Sequence, residues 1–391
     1  MTGDDNSLLT RALLQAADFR LLLGDRVKAA QNYREVLEVD PTHAGAALRL
    51  AELGPEVQSP AATVTQTSKP RPQKMVHEST WSAKIVLVDW TLGNSCTYRC
   101  QYCPSECHDG STDWLGYDKI VRFCDRLIDH YQRDGKRVQL NLTGGEVTLH
   151  PNLIELIAYV RARGARVSIL SNASRGLPFW RRLQGKLDHI NISFHPGVAK
   201  LDHFIAVANI LARPGTSVHA VFMMPPRDFA ASLRAAQIFA QQTRNITISL
   251  AAVRINLGAH LVAYSPAQLH TLEHERIDVV FDRPREQPAR GRMRVIYADG
   301  SSAIHCAEDF VVRRENRWPG WRCNVGVDQL IVTKQGHVAR AWCFIDDRFG
   351  NVSDENIEFP TAPVVCDGRT CLCPLDIMNE RECIAALACM T

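Results

Sequence analysis

Six apolar runs rich in β-branched residues recur between residues 84 and 253, and helical segments separate them. The runs are "KIVLVDW" (84–90), "RVQLNLTG" (137–144), "RVSILSN" (166–172), "HINISFH" (189–195), "SVHAVFMM" (217–224) and "NITISLAAV" (245–253). This alternation predicts an α/β fold of parallel strands covered by helices, with a right-handed crossover in each unit. Six units do not complete an eightfold barrel, so we expect an open (β/α)6 partial barrel with its chemistry at the carboxyl ends of the strands.

The segments outside this pattern divide the chain further. Residues 1–55 are helical in period, with a turn at Gly24-Asp25 and Pro41 after the second helix, and they resemble one tetratricopeptide repeat (TPR); a plain helical hairpin is the alternative. A lone repeat cannot close its own core, so we expect these helices to dock on the rest of the chain, on a second copy or on a protein partner. Residues 56–79 are rich in Pro, Ser, Thr and Gln and are predicted to be a linker.

The remaining chain then consists of a core over 80–291 and a tail over 292–391 that lacks the β/α rhythm. Two hairpins are predicted in the tail, with turns at Asp299-Gly300 and Gln335-Gly336. The tail also ends in several cysteines, which predicts a small domain that depends on a metal for its stability.

Composition excludes several classes of function. The formal net charge of +3 is too small for an electrostatic nucleic-acid footprint. The amino terminus "MTGDDNSLLT" lacks the pattern of a signal peptide, and no apolar run reaches membrane-spanning length. We therefore expect a cytoplasmic protein that binds neither nucleic acid nor a membrane.

The 13 cysteines are clustered: five lie in residues 96–124, none in 125–305 and eight in 306–391. In a chain without a secretion signal, this distribution favours two metal sites over a disulfide framework. Cys124 is the exception, because it occupies an apolar position of a helical pattern. The cysteines at 96, 100 and 103 could join Cys107 around zinc. Alternatively, three thiolates on a four-iron cluster would leave one iron open to a ligand that is not protein.

Two motifs resemble those of one known enzyme family. The spacing Cys96-x3-Cys100-x2-Cys103, with Tyr102 before the last cysteine, resembles the signature of the radical S-adenosylmethionine (radical SAM) superfamily, and Thr143-Gly144-Gly145-Glu146 resembles its second landmark. The resemblance implies that the three cysteines hold a [4Fe-4S] cluster whose fourth iron is chelated by S-adenosylmethionine (SAM). It further implies an electron donor such as flavodoxin or ferredoxin, reductive cleavage of SAM, and a 5′-deoxyadenosyl radical that abstracts hydrogen from a C–H bond.

The same resemblance suggests which residues contact SAM. Gly144 and Gly145 would let the backbone approach its methionine moiety, and Glu146 would accept a hydrogen bond from it; a simple strand-to-helix turn is the alternative. Tyr102 would pack by the adenine. The other candidates are polar residues at or near strand ends, which could equally be structural hydrogen-bonding groups or helix caps: Ser171, Asn172, Ser193, His195 and Arg254.

The tail resembles the auxiliary-cluster extension called SPASM or, when shortened, twitch. Cys323 and Cys343 bracket the hairpin that turns at Gly336, and three further cysteines follow it. These are Cys366, Cys371 and Cys373. Five candidates compete for four ligand places, and Cys366 is the one that we expect to be left out. Cys383 and Cys389 are too few for a second auxiliary cluster, so we expect one auxiliary [4Fe-4S] cluster, with a structural zinc site as the alternative.

These features together predict a radical SAM enzyme that acts on a peptide or a small metabolite, with net oxidation or bond formation assisted by the auxiliary cluster. One alternative is an epimerase in which Cys306 donates a hydrogen atom to a carbon radical, although Cys306 could also be a buried spectator thiol. A second alternative inserts sulfur taken from the auxiliary cluster. A third is a scaffold that binds zinc and recruits partners through its amino-terminal helices.

Overall fold

The computed structural model describes residues 10, 14, 17, 26–53, 71–255, 260–285, 290, 292–312, 315–368, 370–371 and 373–384. The chain divides into two compact units, Met1–Lys69 and Pro70–Thr391. Among the described residues, no helix has the length and apolar character needed to cross a membrane.

The amino-terminal unit contains two helices, Arg26–Val39 and Ala44–Glu52, separated by a turn that includes Pro41. Ala29, Tyr33 and Ala46 are fully buried in the core of this unit. The helices therefore lie where the sequence predicts them. The resemblance to a tetratricopeptide repeat stays a prediction, and the expected turn at Gly24-Asp25 lies outside the described residues.

The second unit contains the six predicted parallel strands, in sequence order across one sheet. They are β2 (Ile85–Thr91), β3 (Arg137–Thr143), β4 (Arg166–Ser171), β5 (His189–Phe194), β6 (Ser217–Met223) and β7 (Ile246–Ala251). The helices between them are Tyr117–Arg133, Leu153–Ala162, Leu177–Leu183, Leu201–Leu211 and Phe229–Gln242. This arrangement is consistent with the predicted partial (β/α)6 barrel.

Burial explains why these segments fold as they do. The β2 residues Ile85 to Trp90 are all buried, as expected for a parallel strand covered on both faces. The helix Tyr117–Arg133 buries one face of apolar side chains, and Cys124 on that face is fully buried. Cys124 is therefore a core residue, as its position in the sequence predicts.

The hairpin of the tail belongs to the barrel sheet. β13 (Gln329–Val332) pairs in parallel with β2, and β14 (His337–Ala339) and β15 (Arg348–Asn351) follow it as antiparallel strands. The turn at Gly336 forms as predicted, with φ of 81°. The hairpin within the predicted tail domain, 292–391, thus makes backbone hydrogen bonds to the first barrel strand. The domain boundaries stay a prediction.

A second, antiparallel sheet has the strand order β11-β10-β1-β17-β12-β16. Its strands are β1 (Pro72–His77), β10 (Met293–Tyr297), β11 (Ser302–His305), β12 (Trp321–Cys323), β16 (Val364–Val365) and β17 (Arg381–Cys383). β10 and β11 form the predicted hairpin at Asp299-Gly300. The predicted linker over 56–79 is wrong at its carboxyl end, because β1 lies in it and buries Met75 and His77.

The described elements outside these two sheets are short. β8 (Arg254–Ile255) pairs with β9 (His260–Leu261), and helices cover Pro266–His274, Ala307–Val312 and Pro374–Ile377. Single 3₁₀ turns occur at Ser82–Lys84, Ser105–Cys107, Val147–Leu149 and Pro226–Asp228.

Candidate functional site

The loop after β2 carries the first group of cysteines, and a buried amide organises it. Asn94 is 1% exposed, and its Nδ2 lies 3.0 Å from the Glu106 carbonyl oxygen, 2.6 Å from Asp109 Oδ1 and 3.0 Å from Ser111 Oγ. The backbone N–H of Thr112 donates to Asn94 Oδ1 over 3.0 Å. Asn94 thus ties the start of the cysteine loop to its end. Sequence reasoning missed it, although an asparagine just before the cysteine motif was the available signal.

The first thiol of the loop, Cys96, is half-buried beside the end of β4. Its Sγ lies 3.6 Å from Asn172 Nδ2 and 3.4 Å from the backbone N–H of Tyr98. Asn172 Nδ2 also donates to Thr97 Oγ1 over 3.0 Å. Burial raises the pKa of the Cys96 thiol, and these two donors partly oppose that effect. Asn172 therefore contacts the cysteine loop directly, as a site residue should.

The second thiol, Cys100, meets the end of β5. Its Sγ is 3.4 Å from His195 Nδ1, and the Tyr102 hydroxyl is 2.8 Å from the same nitrogen. The rings of Tyr102 and His195 stack with an interplanar angle of 14°. Burial lowers the pKa of His195 to about 4, so its ring is neutral at pH 7. The structure therefore brings these three predicted site residues together.

The third thiol, Cys103, is half-buried, as is Cys107 in the same loop. Interaction between the two thiols raises the pKa of Cys103 and lowers the pKa of Cys107 to about 7. Within the described ranges, no three His, Cys, Asp or Glu side chains are grouped closely enough to bind one metal ion. The ligands of a four-iron cluster bind different irons, so they need not converge on one point.

Gly144 and Gly145 let the end of β3 touch the cysteine loop. Both have positive φ, 99° and 44°. A Cβ on Gly144 would lie 2.4 Å from the Gly93 carbonyl oxygen, and one on Gly145 would lie 2.2 Å from the Ser95 carbonyl oxygen. The Glu146 N–H also donates to that Ser95 oxygen over 2.7 Å. The glycines are therefore needed for contact between two loops, a reason that the sequence did not reveal.

The Glu146 side chain is fully buried and surrounded by donors. Oε1 accepts hydrogen bonds from Thr148 N (3.1 Å), Thr148 Oγ1 (2.6 Å) and Ser171 Oγ (2.7 Å), and Oε2 accepts one from Asn172 N (2.7 Å). Glu146 therefore joins the end of β3 to the end of β4. Its contact with SAM stays a prediction.

Two other candidate residues, Ser193 and Arg254, differ in where they lie relative to the barrel strands. Ser193 on β5 is buried, and its Oγ donates to the Ser171 carbonyl oxygen over 3.4 Å, so it belongs to the same strand-end cluster. Arg254 lies in β8, which pairs with β9 and is not part of the barrel sheet. A role for Arg254 with the SAM carboxylate stays a prediction.

The tail cysteines form a second group around an apolar cavity. Its lining includes four of them: Cys323, Cys343, Cys366 and Cys371. Three charged residues, Asp367, Asp376 and Arg381, also line the cavity, with Val325, Ile345 and Val364 as its apolar walls. Among the described tail cysteines, Cys306, Cys373 and Cys383 lie outside this lining. Cys366 thus lines the cavity and Cys373 does not. Which cysteines are ligands stays a prediction.

A buried carboxylate connects the barrel to this second group. Asp89 on β2 accepts hydrogen bonds from Trp342 Nε1 (2.7 Å) and Asn141 Nδ2 (2.6 Å), and Trp342 immediately precedes Cys343. Burial raises the pKa of Asp89, and both hydrogen bonds lower it. Burial, followed by the charge of Asp89, also raises the pKa of Asp376 to about 7. Cys306 follows β11, and its N–H donates to Asp309 Oδ2 over 2.9 Å.

Comparison with known proteins agrees with the geometry of the barrel. Residues 90–249 match the family model of the Radical SAM superfamily. The GTP 3′,8-cyclase of Stenotrophomonas maltophilia (strain R551-3) is 29% identical over 151 residues, covering 34% of this chain and 45% of that protein. The S-adenosylmethionine-dependent nucleotide dehydratase of a Thermoplasmatales archaeon (strain ISO4-H5) is 31% identical over 121 residues, covering 30% and 40%. The chain thus spans less than half the length of these relatives.

Solved structures show a more distant likeness. The structure of anSMEcpe with bound AdoMet superposes with a TM-score of 0.44 and 14% identity, over 69% of this chain and 78% of that one. Streptococcus suis SuiB bound to its precursor peptide SuiA gives a TM-score of 0.44 and 12% identity, over 69% and 63%.

Proposed function

We propose that the chain is a cytoplasmic radical SAM enzyme with one auxiliary iron–sulfur centre, and that residues 90–249, which match the Radical SAM family model, form its radical SAM domain. The observation that carries the proposal is the meeting of three strand ends at one loop. Cys96 contacts Asn172 after β4, Cys100 contacts His195 after β5, and the glycines after β3 touch the same loop. Chemistry at the carboxyl ends of barrel strands is the rule for this architecture.

The residues of the loop fit a thiolate-bound cluster that keeps one place open. Cys96, Cys100 and Cys103 are all half-buried, so their thiols are shielded without being sealed from a small ligand. When bound there, the cluster and SAM supply a 5′-deoxyadenosyl radical that abstracts hydrogen from substrate. The chain's own part is to orient the thiols through Asn172 and His195 and to hold the loop closed through Asn94.

The second group of cysteines supports an auxiliary centre held by Cys323, Cys343, Cys366 and Cys371. Four thiols around one apolar cavity are the donor set that a [4Fe-4S] cluster takes when its irons are all bound by protein. A complete ligand set suits electron transfer better than SAM binding. We therefore propose that the reaction is a net oxidation or a bond-forming step. An intracellular location agrees with so many free thiols.

The substrate is proposed to be a peptide or a small polar metabolite. Two relatives of the barrel are named for reactions of nucleotides, so nucleotides are the first small molecules to screen. The amino-terminal helices are proposed to be a TPR-like segment that binds a protein partner or a second copy of the chain. An external one-electron donor of the flavodoxin or ferredoxin type completes the proposal.

Anaerobic purification and a cleavage assay test the proposal. We expect a brown protein with about eight iron atoms, two cubanes of four, that forms 5′-deoxyadenosine from SAM with a chemical reductant. Deuterated candidate substrates should then transfer label into 5′-deoxyadenosine. A colourless protein that contains zinc and forms no 5′-deoxyadenosine would support the scaffold alternative instead.

A further inference from the structure

A buried arginine faces the thiols of the auxiliary cavity. Arg381 is 3% exposed, lines the cavity, and places Nη1 4.0 Å from Cys371 Sγ. The strand pairing fixes its backbone, because Arg381 on β17 is the register partner of Cys323 on β12. The strand pairing therefore places Cys323, and the direct contact places Cys371, next to this guanidinium.

The guanidinium is also held rigidly by uncharged groups. Nη2 donates to the carbonyl oxygens of Asp376 (2.6 Å) and Ile377 (3.1 Å), and Nε donates to that of Asn379 (3.3 Å). On its face, Cζ lies 3.7 Å from the ring centroid of Trp318. A guanidinium held in this way keeps its positive charge at a fixed position relative to the cavity.

No carboxylate of the described residues contacts this arginine directly. Across the part of the chain that the structure describes, Arg381 makes no salt bridge within 4.0 Å with an acidic side chain. Asp376 lines the same cavity, but it meets Arg381 through its backbone oxygen, while its Oδ1 accepts a hydrogen bond from Gln329. Asp367 also lines the cavity, and burial raises the pKa of Asp376, while the charge of Arg381 lowers it. Among these potential anions, the Cys371 thiol is the one that the guanidinium contacts directly, with Nη1 4.0 Å from Sγ.

We propose that Arg381 is the residue that compensates the negative charge of the auxiliary centre and thereby raises its reduction potential. The inference rests on the proposed function, because it needs an iron–sulfur centre on the four lining cysteines. Adding one electron to a thiolate-bound cluster increases its negative charge by one. A fixed cation within a few Å stabilises that reduced state more than the oxidised one.

The test is a redox titration of the auxiliary centre, followed by electron paramagnetic resonance. The full chain carries Cys100→Ala, so that only the auxiliary centre contributes to the signal. Arg381→Met should keep the iron and lower the potential, with at least a tenfold change in the one-electron equilibrium constant, about 59 mV. Arg381→Lys retains the charge and should shift the potential less.

Arg290→Met is the matched control. Arg290 is 9% exposed and donates to the carbonyl oxygens of Ser82, Ile85 and Asp328, as Arg381 does to three others, but it does not line the cavity. Its replacement should leave the potential unchanged. Equal potentials in the wild-type and Arg381→Met proteins, or an equal shift in the Arg290 variant, would overturn the inference.

The remaining outcomes also support or overturn the inference. If Arg381→Met loses its iron, then Arg381→Lys with bound iron and a potential nearer that of the wild type supports a charge role. Loss of iron from both variants would show that Arg381 serves the fold, and the inference would fail. If the Cys100→Ala protein itself binds no iron after reconstitution with iron and sulfide, the proposed auxiliary centre fails, which is a different result.

Discussion

The two groups of cysteines are built in opposite ways. Cys96, Cys100 and Cys103 lie within eight residues of one loop, and all three are half-buried. The four thiols of the auxiliary cavity come from residues 323 to 371, and Cys323 and Cys371 are only 7% exposed. The first group is complete within one loop, whereas the second forms only after two sheets have assembled around the cavity.

This difference corresponds to different chemical roles. Three thiols on a four-iron cluster leave one iron for a ligand from solution, and four thiols leave none. The loop is also positioned by polar contacts to the ends of β4 and β5, where substrate chemistry is expected. The auxiliary cavity is instead apolar and contains one fixed cation, Arg381. An open site and a closed site thus share one compact unit.

The largest effect is expected at the open site. Cys96→Ala, Cys100→Ala or Cys103→Ala should each abolish 5′-deoxyadenosine formation and remove about four iron atoms, because three thiolates are the minimum that holds the cluster. Chromatography of the SAM reaction and iron analysis measure both quantities. Cys107→Ala is the control, and it should keep its iron. Cleavage above background in any of the three variants would contradict the assignment.

The next effect separates the two sites. The double variant Cys323→Ala/Cys343→Ala should also lose about four iron atoms and should stop substrate turnover, while uncoupled 5′-deoxyadenosine formation continues. Cys366→Ala should behave in the same way, because Cys366 lines the cavity. Cys373→Ala is the matched control and should retain the iron. Iron loss from Cys373→Ala with retention in Cys366→Ala would reverse the ligand assignment.

The contrast between the sites also explains what the sequence could predict. The six parallel strands follow from periodicity, and the first cysteine group follows from spacing, because both signals are local. The partner of a strand is not local. "QLIV" at 329–332 predicts a hairpin strand, but nothing in it indicates pairing with Leu87 to Trp90. For the same reason, the choice between Cys366 and Cys373 depends on which loop faces the cavity.

Segments whose partners are distant in the sequence were the other source of error. β1 is polar along most of its length and buries only Met75 and His77, so its composition resembles that of a linker. For Glu146, the sequence does not reveal the hydrogen bonds from Ser171 Oγ and Asn172 N, which come from the end of the next strand. The strands that pair with β1 are likewise distant in the sequence, so a single sequence does not reveal them.

A smaller effect is expected at the connection between the sites. Trp342→Phe removes one donor from the buried Asp89 carboxylate, and a hydrogen bond to a charged group is worth about 1.5–3 kcal/mol. We expect the free energy of unfolding in urea to fall by that amount. In an Asp89→Asn background the same substitution should cost less, because the charge is gone. Equal costs in both backgrounds would show that the Trp342 to Asp89 hydrogen bond does not stabilise the fold.

The smallest effect is a loss of stability at acidic pH, to which both regions contribute. Burial lowers the pKa of His189, on β5 of the barrel, to about 4, and lowers the pKa of His77, on β1 of the second sheet, to about 3. The unfolded chain binds these protons near pH 6.5, so stability is fully present above that pH and falls as the pH decreases toward 4. The slope should be at most about 1.4 kcal/mol per pH unit for each histidine.

Replacing these histidines then tests whether the two regions unfold together. His77→Phe and His189→Gln should each reduce the loss of unfolding free energy between pH 7 and pH 5 in urea titrations. Because β13 pairs with β2, we expect one transition whose pH slope is reduced by either substitution. Two separate transitions, each sensitive to only one of the substitutions, would show that the auxiliary sheet unfolds independently of the barrel. If a variant keeps the wild-type slope, the histidine that it replaces is protonated without cost in the folded protein.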